Sequence, residues 1–161
     1  MDPSIWLTLE QSPKTTEEYV MMRNIPYHEA VGSLMYASLG TRPDITFAVQ
    51  TVSRFSSKSG MVHWKAVKRI FHYLKCTREL WLTYNAKVRE LEGFADTDGR
   101  MAEDQKAISR YEFLINGGAV SWSAKRQEII SLLMSESEYI AAIHTAKEAL
   151  WLWSLIPHSS A

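Results

Sequence analysis

LEGFADTDGR at residues 91–100 and SESEYIAA at residues 135–142 decide the fold predicted for this chain. The first stretch is a short apolar run followed by Asp96, which is typical of a strand that ends in a carboxylate. The second stretch begins a helical pattern that contains Glu138. Between them, residues 108–127 alternate apolar and polar side chains around an Asn-Gly-Gly turn, which predicts a β-hairpin. A carboxylate at a strand end and another at a helix start, on either side of a hairpin, are placed to hold a divalent metal.

Helical spacing of apolar residues predicts three helices in the first half of the chain. The clearest of them places Val67, Ile70 and Leu74 on one face. The three predicted helices cover residues 28–39, 43–57 and 62–76, and Thr41 is expected to cap the second. Helices of this size joined by short links form a small bundle. Residues 1–27 contain three prolines and are predicted to be an extended surface segment.

After Arg78 the apolar period changes from helical to alternating, which indicates strands. The predicted strands cover residues 79–84, 92–97, 107–116 and 118–125, and a last helix covers 135–156 until Pro157 ends it. EIISLLM at residues 128–134 fits either a strand or the approach to that helix. The prediction is therefore an α+β chain with an N-terminal segment at 1–27, a helical region at 28–79 and a sheet-containing domain at 80–161.

Opposite charges are concentrated in different parts of the sequence, although the net charge is +0. Residues 51–89 carry nine of the 18 Lys and Arg residues and one acid, whereas residues 90–161 carry 11 acids and six basic residues. In the third predicted helix, four basic side chains follow offsets of 0, 3, 4 and 7, which places them on one face: Lys65, Lys68, Arg69 and His72. This face suits contact with nucleic-acid phosphates or, alternatively, is the solvated side of a bundle helix.

Composition excludes several classes of protein. Cys76 is the only cysteine, so the chain has no internal disulfide and no Cys/His array with zinc-site spacing. No apolar run approaches the roughly 20 residues of a membrane helix. The first residues do not follow the pattern of a signal peptide. We therefore expect an intracellular protein, cytoplasmic or nuclear, with no membrane partner; the sequence does not indicate an oligomeric state.

Several long motifs resemble the Pol polyprotein of copia-type LTR retrotransposons, in the family's order. Residues 25–55, IPYHEAVGSLMYASLGTRPDITFAVQTVSRF, and residues 63–80, HWKAVKRIFHYLKCTREL, are similar to the thumb and connection region after the reverse-transcriptase palm. FADTDG, GGAVSWSAKRQ and ESEYIAAIHTAKEALWL, between residues 94 and 152, resemble the start of the family's ribonuclease H domain. The resemblance implies a small helical thumb-like bundle followed by a truncated ribonuclease H-like fold of three antiparallel strands and the first helix.

The family's chemistry is cleavage of the RNA strand of an RNA–DNA hybrid with two divalent metals, Mg²⁺ or Mn²⁺, held by four carboxylates. By the motifs, Asp96 and Glu138 match the first two of these metal-binding, catalytic carboxylates. The other two follow the first helix in the family, and no residue here stands for them. The resemblance thus implies an RNA–DNA hybrid or DNA as partner, together with the remainder of the polyprotein. It also implies that metal binding by this chain is weak or absent and that the chain is not catalytic alone.

Other interpretations of the same residues remain open. Asp96 also fits a turn residue that ends a strand, and Ser135 with Glu138 forms an S-x-x-E capping box, for which Ser135→Ala is expected to cost about 1 kcal/mol. One alternative function is a ribonuclease H that becomes active when a further C-terminal segment completes it. A second is a non-catalytic nucleic-acid-binding or interaction protein.

Overall fold

The computed structural model describes residues 7–85, 91–98, 106–128 and 133–156 of the chain. The chain divides into two compact units, Met1–Trp81 and Leu82–Ala161. The first unit is helical, and the second pairs a three-stranded antiparallel sheet with one long helix. The predicted α+β class is confirmed. No helix in the described ranges is both long and apolar enough to cross a membrane.

Four α-helices build the first unit, and the predicted helical positions in it are confirmed. They are α1 (Thr16–Arg23), α2 (Tyr27–Gly40), α3 (Thr46–Ser53) and α4 (Met61–Cys76). The helix predicted at 43–57 is interrupted, because a 3-10 turn at Pro43–Ile45 precedes α3 and another at Ser56–Lys58 follows it. Thr41 is not the cap, since Arg42 precedes the first of these turns and Pro43 occupies its first position, where a missing N–H costs nothing.

The extended segment predicted for residues 1–27 is wrong over α1. Thr15 starts this helix with a capping box: its hydroxyl accepts a hydrogen bond from the Glu18 N–H at 3.3 Å. In return, the Glu18 carboxylate accepts from the N–H groups of Thr15, at 3.2 Å, and Lys14, at 2.8 Å. These bonds lower the pKa of the Glu18 carboxyl. The two reciprocal bonds satisfy N–H groups that a helix start leaves open, and this offsets the weak apolar pattern of the segment.

The core of the first unit lies between α2, α3 and α4. Leu34, Val52 and Val67 come one from each helix and are at most 1% exposed. Burying a side chain of this kind stabilises a fold by roughly 1.5–3 kcal/mol. The one phenol in this core, Tyr27, donates a hydrogen bond to the Val52 carbonyl oxygen at 2.8 Å, so its hydroxyl is not left without a partner.

Three strands form the sheet of the second unit in the order β1-β2-β3: β1 (Leu91–Asp98), β2 (Ile108–Ile115) and β3 (Gly118–Arg126). All pairs are antiparallel, and the predicted hairpin between β2 and β3 is confirmed. Asn116 and Gly117 make its turn with φ of 56° and 76°. Positive φ at two successive residues is typical of the type I′ hairpin turn, which asparagine and glycine favour.

The strand predicted at residues 79–84 is wrong. Residues 80–85 have no regular structure, and Tyr84 and Asn85 contact the hairpin instead of extending the sheet. The Asn85 N–H donates to the Asn116 carbonyl at 2.7 Å, and the Tyr84 hydroxyl donates to the Ala119 carbonyl at 2.8 Å. The large apolar side chains Leu80, Trp81 and Tyr84 stay mostly exposed, at 59%, 78% and 53%, so the run lacks both a strand ladder and a buried face. The ambiguous run at 128–134 falls largely outside the described residues, as does Pro157.

Helix α5 (Met134–Leu155) has apolar residues on two opposite faces. The face toward the sheet buries Ala141 and Leu152, and α5 contacts both β1 and β2. The outer face exposes Ile143 and Leu150, about half a turn around the helix, and Trp153, about a third of a turn around it, at 39%, 73% and 58%. Because helical residues repeat every 3.6 positions, these two sets cannot share one side.

Candidate functional site

Asp96 lies on β1 and is 72% exposed at its side chain. Its partner across the strands is Arg110 of β2, and the Arg110 Nη2 approaches the Asp96 Oδ2 at 3.9 Å. The carboxylate that matches the family's first metal ligand thus has a guanidinium beside it.

The residue after Asp96 shows which face of the sheet the carboxylate occupies. The Thr97 hydroxyl donates to the Ser137 carbonyl of α5 at 3.3 Å, so Thr97 is directed toward the helix. Successive side chains of a strand point to opposite faces of the sheet. Asp96 is therefore directed to the face that α5 does not cover, where Arg110 also lies.

Glu138 lies in the first turns of α5 and is exposed. It does not form the predicted capping box with Ser135, because the helix begins earlier, at Met134 after Leu133. The capping carboxylate is Glu136, whose Oε2 accepts from the Leu133 N–H at 3.4 Å. The capping interpretation of Glu138 was wrong, and the cost of about 1 kcal/mol expected for Ser135→Ala no longer has a basis.

The described residues do not fit a divalent metal at this position. They contain no group of three or more His, Cys, Asp or Glu side chains able to hold an ion. Asp96 faces away from the helix that carries Glu138, and the neighbouring cation of Arg110 opposes a second positive charge. Two metals clamped by carboxylates require more ligands than these.

The four basic side chains of α4 are brought together on one exposed face. Lys65, Lys68, Arg69 and His72 are all exposed, as their helical offsets predict. The opposite face of α4 is buried in the core, where Val67 is 0% exposed. The alignment predicted from the sequence is therefore present as one exposed face of two lysines, one arginine and one histidine, called here the basic face of α4; its contact with phosphates stays a prediction.

Known proteins similar to the chain include retrotransposon polyproteins. It is 45% identical over 149 residues to the retrovirus-related Pol polyprotein from transposon TNT 1-94 of Nicotiana tabacum, which covers 91% of the chain and 11% of that polyprotein. It is 40% identical over 133 residues to secreted RxLR effector protein 161 of Plasmopara viticola, which covers 81% of the chain and 94% of that protein. The chain belongs to the copia-type retrotransposon Pol family.

The Pol polyproteins in this family are far longer than the chain. The polyprotein from transposon RE2 of Arabidopsis thaliana is 30% identical over 132 residues, which is 81% of the chain but 9% of the polyprotein. The resemblance found from the sequence motifs is confirmed. No family model matches the chain, and no solved structure matches it.

This copia-type Pol chain also has a polar network that the sequence did not reveal. Arg42 forms a two-pronged contact with Asp44, with Nε to Oδ1 at 2.9 Å and Nη2 to Oδ2 at 2.7 Å. The same guanidinium donates to the Thr77 hydroxyl at 2.6 Å and lies 5.7 Å from the centre of the Tyr73 ring. The network ties the end of α4 to the turn before α3. The one feature of the sequence that indicated this network is the spacing of Arg42 and Asp44, two residues apart in TRPD.

Charge pairing in this network sets the protonation of its acid. The hydrogen bond from Arg42 lowers the pKa of the Asp44 carboxyl, and the same bond raises the pKa of Arg42. The Asp44 carboxyl in turn raises the pKa of the Tyr73 hydroxyl through a hydrogen bond. Asp44 is therefore an ionised carboxylate at neutral pH, paired with the Arg42 guanidinium.

Proposed function

We propose that this segment of a retrotransposon Pol polyprotein binds an RNA–DNA hybrid or DNA through the basic face of α4, and does not cleave RNA by itself. The observation that carries the proposal is the alignment of four exposed cationic or ionisable side chains along one helix. Such an array neutralises backbone phosphates and releases their counterions. The family supports it, since relatives of the chain are named as Pol polyproteins.

The absence of cleavage is supported by the surroundings of the two family carboxylates. Asp96 has the Arg110 guanidinium at 3.9 Å, on the face of the sheet that α5 leaves uncovered. Glu138 is on the helix at the other face. A hydrolytic water needs metals held from both sides of the scissile phosphate, and this pair does not supply such a clamp. Metal binding by the described residues is accordingly weak or absent in this proposal.

Removing three charges from the basic face of α4 should weaken binding to all sequences alike. The variant Lys65→Ala, Lys68→Ala, Arg69→Ala is expected to flatten the plot of log affinity against log salt by roughly two to three units of slope. Fluorescence anisotropy with a labelled RNA–DNA hybrid at several salt concentrations measures this. The matched control removes two lysines and one arginine elsewhere in the same unit: Lys14→Ala, Arg23→Ala, Lys58→Ala. An equal loss in both variants would contradict a role of this face.

The chain should leave the RNA strand of a labelled hybrid intact in Mg²⁺ or Mn²⁺. Its melting temperature should also be the same with and without Mg²⁺, because two separated carboxylates gain little from one ion. Asp96→Asn and Glu138→Gln should change neither result. Cleavage by the purified chain that Asp96→Asn abolishes would overturn the proposal and support the alternative, a metal-dependent ribonuclease H. Cleavage only by a version extended with a further family segment would support the completion alternative.

A further inference from the structure

A groove with an apolar floor runs beside the basic face of α4. It encloses about 560 Å³, which is within the range of about 300–1,000 Å³ typical of small-molecule pockets. Its floor is formed by Ile45 and Ala48 on one side and Ala66 and Ile70 of α4 on the other. The two alanines leave room that larger side chains would fill. The groove therefore has space for an apolar group.

The rim of this groove is positively charged. Lys65 and Arg69 line it from α4, one helical turn apart and separated by a rise of about 6 Å along the axis. Asp44 is the one acid among the described lining residues, and its carboxylate is already matched by the two hydrogen bonds from Arg42. The groove thus complements a ligand that joins a flat apolar body to adjacent negative charges.

We propose that this groove takes an unstacked base of a single-stranded nucleic acid, while flanking phosphates contact Lys65 and Arg69. The inference rests on the proposed nucleic-acid function of α4 and adds a preference to it. A base within a duplex is paired and stacked, so it must leave the stack before it can enter a pocket. A single strand offers bases and phosphates together, and sites that bind it combine cationic side chains with an aromatic ring, as Lys65, Arg69 and Tyr73 do in the lining of this groove. Lys68 extends the phosphate track along the same helix face.

The test compares a labelled single strand of thymidine nucleotides with an abasic strand of the same length and charge, at one salt concentration. The thymidine strand should bind about tenfold more tightly, because a base seated in the groove buries apolar surface and reaches the aromatic ring of Tyr73, which also lines it. Ala66→Leu fills the groove without changing charge, and it should bring the thymidine strand down to the affinity of the abasic strand. Binding of the abasic strand, and its salt dependence, should remain.

Ala37→Leu is the matched control. Ala37 is also a partly buried helical alanine packed against the same core, but it does not line the groove. It should keep the tenfold preference, and the melting temperatures of both variants show that each is folded. Ala48→Leu provides a second filling variant from the opposite wall, and it should remove the preference as Ala66→Leu does.

The remaining outcomes separate failure of the base pocket from failure of nucleic-acid binding by α4. Equal affinity of the wild-type chain for both strands, with normal salt dependence, would refute the base pocket and leave phosphate binding by α4 intact. Saturable binding of decanoate that Ala66→Leu removes, together with equal affinity for the two strands, would assign the groove to an aliphatic anion and also refute the proposal. No salt-dependent binding of either strand or of a duplex would refute the proposed function itself.

Discussion

His63→Ala is expected to lower the free energy of unfolding of the first unit by about 3 kcal/mol. The His63 ring is 0% exposed and stacks on Phe55, with ring centres 4.0 Å apart and planes at 10°. Its Nδ1 accepts from the Gly60 N–H at 2.9 Å, and its Nε2 contacts the Thr8 carbonyl oxygen at 3.0 Å. The substitution leaves a cavity, and it leaves the Gly60 N–H and the Thr8 carbonyl oxygen without the histidine ring as hydrogen-bond partner.

The two hydrogen bonds also make this residue sensitive to pH. Because Nδ1 accepts, the neutral ring must carry its proton on Nε2, which donates to Thr8. A second proton would place an N–H on Nδ1 against the N–H of Gly60. Burial lowers the pKa of His63, although the bond to the Thr8 carbonyl partly raises it. The unfolded chain, with a histidine pKa of about 6.5, then binds protons more readily than the folded chain.

Stability from this residue is accordingly complete above about pH 6.5 and is lost as pH falls from there toward the lowered pKa of the folded state. Urea unfolding at several pH values measures this loss of unfolding free energy. Hydrogen exchange of the α4 amides serves as the readout, because it reports on the first unit. The loss of stability as pH falls below about 6.5 should be smaller in His63→Ala. His72→Ala is the control, since His72 is exposed on the same helix. An unchanged pH dependence in His63→Ala would show that other groups are responsible.

Gly60→Ala should cost about 3 kcal/mol, near the upper end of the usual range for overpacking. A Cβ at this position would meet the Gln11 carbonyl oxygen far inside van der Waals contact, and would lie 3.2 Å from the Gln11 carbonyl carbon. Both are backbone atoms, so no rotamer change relieves the clash. The φ of Gly60 is −111°, which any residue adopts, and the cost therefore comes from contact alone.

Gly32→Ala is the matched control for this change. Gly32 lies inside α2, and a Cβ there meets nothing within 4 Å. Alanine should stabilise the helix by roughly 0.5–1 kcal/mol, because it loses less backbone freedom on folding than glycine. Melting curves of the two variants should thus shift in opposite directions. A Gly60→Ala variant as stable as the wild-type chain would show that residues 9–12 do not hold their position against α4.

Apolar periodicity was sufficient to predict the long elements of the fold. The stripe of Val67 and Ile70 located α4, and the alternation on both sides of Asn116 located the hairpin. Local hydrogen bonds were harder to foresee, because they depend on individual atoms. The box of Thr15 and Glu18 starts α1 within a segment of weak apolar pattern. Residues 79–84 were predicted as a strand, but Tyr84 and the following Asn85 contact the hairpin through single hydrogen bonds instead.

The candidate site shows the same limit. The sequence located Asp96 at a strand end and the basic face of α4 on one side of a helix, since both follow from the period of the element. It did not show that Arg110 would stand beside Asp96, because that contact depends on the register of β1 against β2. Register is set by the whole ladder of strand pairs, not by either strand alone. The groove between α3 and α4 likewise depends on how two helices pack.

The outer face of α5 has a practical consequence for work with the isolated chain. Leu150 and Trp153 form an exposed apolar surface on a helix whose other side packs against β1 and β2. Apolar patches of this kind promote aggregation even when the fold beneath them is stable. The tendency of the purified protein to aggregate should therefore rise with its concentration. Replacing Leu150 and Trp153 with lysine should raise the solubility of the purified protein.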